Sequence, residues 1–263
     1  MATYNKRGFK APKEKEENDP TLDNNYLEDV KVDEKDSATA GVFNTLDDTA
    51  NKTEAWVEKN QKMIFGIVGA VALAAIGYVA YQKFVAEPKE DDAAAALFVA
   101  QQNFQQAVDG VKPDSLFVLA LKGSEGQYGF VDIADNYSGT DAGNLANYYA
   151  GVSYLNTGKY NEAIESLDKF KTDDVVLSAL AQGLKGDAFS QKNQPKEALE
   201  YYEKAAATNK NEFTTPMYLL KAGKAALSLG QKETALKHFQ DIKDNYDASP
   251  EAAQVDALIG LAQ

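Results

Sequence analysis

Cysteine is absent from all 263 residues. The chain therefore has no disulfide, no thiol nucleophile and no lipoprotein-type acylation site, and it carries no marker of redox compartment. Histidine occurs once, at His238, in a stretch that reads as mid-helix. No clustered carboxylates accompany it, so a metal centre or a nucleophile–histidine–acid triad lacks its parts. The expected place for His238 is the surface or the rim of a groove. The glycines are scattered singly and none leads into the Lys-Ser/Thr ending of a phosphate loop, so no nucleotide cofactor is expected. Positive charge is also scarce: 27 basic residues face 40 acidic ones, for a net charge of -13. Residues 84–263 alone hold 26 acidic and 16 basic side chains, a net of -10, which argues against nucleic acid or anionic lipid as their ligand. The pairs Asp91–Asp92 and Asp173–Asp174 read as helix caps and solvated turns. These absences leave a binding protein rather than an enzyme. No cofactor, metal or small-molecule substrate is expected, and proteins are the expected partners.

Charge is missing altogether from Met63 to Tyr81, nineteen residues reading MIFGIVGAVALAAIGYVAY. As a helix this run is about 28 Å long, enough to cross a hydrocarbon core with little tilt. Lys62 and Lys83 frame it, and Trp56, Tyr78 and Tyr81 suit the interfaces. A secretory signal peptide fits poorly behind sixty-two preceding residues. A single membrane span over residues 63–82 is the expectation. Gly66, Ala70 and Ala74 form a small-residue stripe along it, over which another membrane helix could approach closely. Residues 1–41 mix charges of both signs with Pro12, Pro20 and Gly8, and read as a disordered polar tail. Its basic cluster, Lys6, Arg7, Lys10, Lys13 and Lys15, reads as solvated. Residues 42–62 show helical spacing at Phe43, Leu46, Ala50, Thr53 and Val57, and read as an amphipathic juxtamembrane helix that either lies on the membrane surface before turning into the span or faces a partner protein.

Beyond the span the chain repeats itself. Gly151, Tyr154 and Ala163 are followed at the same offsets by Gly186, Phe189 and Ala198, then by Gly223, Ala226 and Ala235, at intervals of 35 and 37 residues. Gly158 and Gly230 mark turns, Tyr160 and Pro195 open second helices, and Leu167, Tyr202 and Phe239 share one apolar slot. Thr215 reads as an N-cap before Pro216. This pattern resembles the tetratricopeptide repeat, a helix–turn–helix unit that stacks into a superhelix. The tryptophan often seen early in that repeat is replaced by Asn147, Gln182 and Leu219. The resemblance implies an all-α architecture, a tetratricopeptide-repeat α-solenoid tethered by one transmembrane helix. Three repeats cover 144–248. Residues 91–143 read as a degenerate first repeat with an insertion, its alanine-rich helix capped by Asp91 or Asp92 and ending near Gly110. Residues 249–263 read as a closing helix capped by Ser249 and opened by Pro250. Gly151, Ala163, Gly186, Ala198, Gly223 and Ala235 are then the close-packing positions.

The same resemblance implies a concave groove lined by the first helix of each unit: Tyr148, Val152 and Leu155, then Leu184, Asp187 and Gln191, then Lys221, Lys224 and Ser228. Its first part is apolar and aromatic and its last part basic, which suits a segment with apolar anchors and an acidic end. The Lys and Asn constellation with which some relatives clamp a chaperone's terminal carboxylate is not matched, since Tyr148, Val152 and Leu184 stand in those places. The succession of tail, span, alanine-rich helix, repeats and closing helix looks like the YfgM-like family, ancillary subunits of the SecYEG translocon. That likeness implies a bacterial inner-membrane protein with a cytoplasmic N-terminus and periplasmic repeats. Its implied partners are SecYEG, a PpiD-like chaperone and translocating clients. A scaffold for another cell-envelope complex, in secretion or gliding machinery, is the alternative.

Overall fold

A computed structural model describes residues 38–110 and 113–263. The tail assigned to 1–41, its basic cluster included, lies almost wholly outside the described residues. The chain divides into two compact units, Met1–Ala72 and Leu73–Gln263.

Helix α1 runs from Ala38 to Tyr81 without interruption. The expected turn near residue 62, between a surface helix and the span, is not there. Lys52, Glu54, Glu58, Lys59 and Lys62 are all good helix formers, no Gly or Pro intervenes, and so a change of polarity does not become a change of backbone. Phe65, Ile67, Val71, Leu73, Ile76 and Val79 are all more than half exposed, and the Met63–Tyr81 part of α1 is thus apolar on every side. The helical run Thr49–Val108, which takes in the greater part of α1, is long and apolar enough to cross a membrane, and its most apolar stretch is 0% buried.

A five-residue π-helical turn, Gln82–Ala86, joins α1 to α2, Glu87–Val108. Pro88 explains the widening: in α geometry its ring would press on the carbonyl of Phe84, and a π turn relieves that clash without ending the helix. Asp91 and Asp92 are therefore not caps but exposed residues inside α2, because the Pro sits where a helix tolerates it, at the first turn.

The insertion forms α3, Pro113–Lys122, and then α4, Phe130–Asn136. Between them the backbones of Gly123 and Gly129 come so close that a Cβ on either would fall within 2.4 Å of main-chain atoms. Three helix pairs follow: α5 (Asp141–Asn156) with α6 (Tyr160–Lys169), α7 (Val175–Gln191) with α8 (Pro195–Thr208), and α9 (Thr214–Ser228) with α10 (Lys232–Asn245). Each pair turns through one left-handed residue, Gly158 (φ 74°), Asn193 (φ 56°) and Gly230 (φ 70°). Asn tolerates this region better than other side chains, which is why the second turn lacks its glycine.

Two helix starts differ from expectation. Thr215 lies within α9; Asn211 supplies the cap instead, its Oδ1 accepting from the amides of Phe213 (2.8 Å) and Thr214 (2.7 Å). A short Asn side chain folds back on its own backbone this way readily. At the end of the chain, Ser249 makes no capping bond and its buried Oγ has no partner. The closing segment is a 3-10 turn, Pro250–Gln254, leading into α11, Val255–Ala262.

The packing within each pair is specific. A Cβ at Gly151 would meet Leu167 at 2.6 Å, one at Gly186 would meet Tyr202 at 2.6 Å, and one at Gly223 would meet Phe239 at 2.3 Å. Ala163, Ala198 and Ala235 are fully buried opposite. Two apolar cores result. One gathers α2, α3, α4 and α5 around Leu97, Phe130, Ile133 and Ala146. The other gathers α7 to α11 around Tyr202, Tyr218, Phe239 and Ile242.

Candidate protein-binding face

Curvature follows from which helices touch. The first helices of successive pairs pack on one another, α2 on α5, α5 on α7 and α7 on α9, whereas the described second helices are joined by no comparable contact. Rows that lie closer together form the inside of a bend, so the first-helix row is the concave side.

Charge is distributed unevenly between the rows. Among the residues of α5, α7 and α9 only Asp141, Lys185, Asp187, Lys221 and Lys224 are charged, while α10 by itself carries Lys232, Glu233, Lys237, Asp241, Lys243 and Asp244. Several first-helix charges are also taken up internally. The Lys221 ammonium donates to both carboxylate oxygens of Asp187, at 2.7 and 2.8 Å. Asp187 accepts a further bond from the Tyr202 hydroxyl at 2.8 Å. Lys185 is buried and donates to Asp168 of α6 at 2.9 Å. Lys224 donates to the Gln254 amide oxygen of the closing turn at 3.0 Å.

The basic end expected of the groove is thereby reduced to Lys224, which is exposed and bonded to a neutral amide. Lys221 is neutralised by a neighbour one repeat away, a pairing that a period of about 35 residues brings together and that no local pattern announces. His238 is corrected too: it is buried rather than at a rim, with Nε2 2.9 Å from Glu203 Oε1 of α8.

The remaining residues of the row are less polar. Tyr148, Val152, Leu155 and Leu184 are half-buried, and Gln191 and Ser228 are exposed. Tyr148 rests against Phe170 (5.2 Å between centroids) and Tyr149 (5.8 Å), and its burial pushes the phenol above the usual tyrosine range. Tyr202 and Tyr218 are shifted upward as well, first by burial and then by the Asp187 carboxylate beside them. Tyr218 lies over Gly183, where a Cβ would come within 1.9 Å of its ring. Gly183 thus does between repeats what Gly186 does within one. Its position one turn before Gly186 was the available signal, although it falls outside the spacing of one glycine per unit.

A second feature beyond local pattern is Glu90 of α2. Its two carboxylate oxygens accept from the first amides of α5, Asp141 N at 2.7 Å and Ala142 N at 2.9 Å, while the Thr140 hydroxyl accepts from Gly143 N at 2.9 Å. Lys89 adds a bond to the Ser138 carbonyl at 3.1 Å. A carboxylate suits a helix N-terminus, so α2 is fastened to the first full repeat by charge as well as by packing. On α1, Gly66, Ala70 and Ala74 are all exposed, with open space around Gly66. Among the described residues no three His, Cys, Asp or Glu side chains are grouped closely enough to hold a metal ion.

Two overlapping stretches, residues 148–213 and 184–253, match the tetratricopeptide repeat family. The chain carries tetratricopeptide repeats there, a fold of protein–protein interaction. No curated protein and no solved structure matches the chain significantly.

Proposed function

We propose that this chain is a membrane-anchored protein-interaction module and serves as an ancillary subunit of the Sec translocon. In this reading α1 crosses the bacterial inner membrane through residues 63–82, the N-terminal tail is cytoplasmic and the repeats are periplasmic. The concave row from Tyr148 through Leu184 to Ser228 receives segments of proteins emerging from SecYEG, in company with a PpiD-like chaperone. The small-residue stripe of Gly66, Ala70 and Ala74 is the surface offered to a neighbouring membrane helix.

One observation carries the reading: a helix with a nineteen-residue uncharged stretch and a repeat array of the protein-binding kind occur in one chain, with Lys221 of the concave row paired to Asp187. A tethered array with such a row is suited to holding exposed apolar segments close to a membrane. The test is a photo-crosslinker at position 184 in the full chain, in cells. Crosslinks to SecY, to a PpiD-like protein and to nascent secreted chains are the expected result. One stoichiometric envelope partner in their place would make the protein a scaffold of another complex. Protease added outside spheroplasts should digest the repeats and leave a tail-plus-α1 fragment; intact repeats would reverse the orientation.

A further inference from the structure

The concave row does not begin at α5. Between α2 and α5 lies a cleft of about 330 Å³ lined by Phe98, Gln101, Gln102, Phe104, Gln105 and Tyr149. Its walls contain no ionisable group except the Tyr149 phenol. In a domain whose net charge is -10, that composition sets the cleft apart.

The aromatic walls are held from behind. Phe104 meets Phe117 of α3 (5.6 Å), Phe130 of α4 (6.0 Å) and Tyr149 of α5 (5.1 Å), and Tyr149 stacks on Phe130 at 5.2 Å. Phe98 instead is 61% exposed at the mouth, with Gln102 and Gln105 exposed beside it. Gln105 turns its amide nitrogen to Oδ1 of Asp109 (2.9 Å), the residue that follows α2, and so engages that carboxylate. Each Gln side chain can donate and accept at once, which matches the alternating N–H and C=O groups of an extended chain. An apolar aromatic recess with amides at its lip therefore fits a bulky uncharged side chain and the backbone on either side of it.

We infer that this cleft is a docking seat for an extended, uncharged polypeptide segment bearing one bulky apolar side chain, which inserts beside Phe98 and Phe104. The inference rests on the proposed use of the first-helix row for protein binding and adds α2 to that row. Charge complementarity selects the occupant. A carboxylate would enter an acidic domain with no cation lining the cleft, and an ammonium would lose its hydration without a carboxylate lining it to pair with. A charge-free seat also makes attraction insensitive to salt, unlike binding to a basic patch.

The test uses the full chain in lipid nanodiscs with a photo-crosslinking residue at exposed position 102 or at 184. The probe is a capped nonapeptide with one central Phe among Ser, Gly and Asn, compared with the same peptide carrying Asp or Lys at the centre. Labelling at 102 by the Phe peptide is expected, unchanged within about twofold between 0.05 and 0.5 M salt. Phe98→Ala is expected to lower it about tenfold. Phe98 is exposed, so the variant should stay folded, and circular dichroism checks that; Tyr149→Phe, which keeps the ring, should label like the parent. Equal labelling by the Asp or Lys peptide, no effect of Phe98→Ala, or crosslinks only to a second copy of this chain would overturn the inference. Labelling at 184 but not at 102 removes this seat and leaves the repeat face standing. Labelling at 102 but not at 184 keeps the seat and removes the face proposed for the repeats.

Discussion

The two apolar cores of the repeat unit are filled by different rules. From α7 to α11 three buried aromatic rings each sit over a glycine: Tyr202 over Gly186, Tyr218 over Gly183 and Phe239 over Gly223. From α2 to α5 no such register exists, and Phe104, Phe117, Phe130 and Tyr149 meet in one irregular cluster. The regular half repeats a local contact and is recognisable from spacing. The irregular half makes its contacts across four helices joined by an insertion, so its rings find one another only after folding. A repeat can thus lose its register without losing its core, provided that aromatics replace the glycine contacts.

Removing a central ring from either core gives the largest effect expected. Phe239→Ala and Phe130→Ala, both fully buried, should each cost about 3–5 kcal/mol in urea unfolding of the full chain in detergent micelles. Because no buried residue is common to the two cores, the double variant should be additive to about 0.5 kcal/mol. A strong deviation would mean that the two halves share one core.

The glycine register of the second half is tested by a smaller insertion. Gly183→Val would drive Cβ into the Tyr218 ring and should destabilise by about 2–3 kcal/mol. Gly66→Val on α1, with nothing within 4 Å of its added carbon, should change the same urea-unfolding free energy by less than about 0.5 kcal/mol. Comparable losses at both sites would show that the tight fit at Gly183 is not what holds the repeats.

Next come the polar fastenings that serve each half. Glu90→Ala removes the carboxylate from the start of α5 and should cost about 1 kcal/mol. Amide exchange should quicken at Asp141 and Ala142 while the amides of α9 stay protected; uniform exchange would rule out a local fastening.

Tyr202→Phe is the mildest change, about 1 kcal/mol at neutral pH from the lost bond to Asp187. It also sharpens the comparison through pH. The phenols of Tyr202 and Tyr218 are held above the ordinary 10.0, so at high pH the native form keeps protons that the unfolded chain has released. Their contribution is complete below that ordinary value and is lost as pH rises beyond it. Alkaline unfolding should therefore begin in the half containing α7–α11, and Tyr202→Phe should make the fall shallower. An unchanged slope would mean that the buried phenols do not govern it.

The sequence by itself determined the parts that depend on neighbours along the chain. Nineteen uncharged residues make the last part of α1 apolar on all sides whatever surrounds it, and a Gly–Ala spacing repeated at 35 and 37 residues makes three helix pairs, because backbone propensity and face periodicity act within a few turns. Pro88 and Asn193 were also there to be read. They were harder to see because the π turn and the left-handed Asn are the less common answers to a proline and to a missing glycine. The tertiary structure alone decided the pairings between residues far apart in sequence. Asp187 meets Lys221 across 34 positions, His238 meets Glu203 across 35, and Glu90 reaches the start of α5 across 51. Each joins groups that solvate themselves separately in an extended chain and become partners only when stacking brings one repeat against the next. For that reason the first-helix positions follow from spacing along the chain, while the pairing of Lys221 with Asp187 does not.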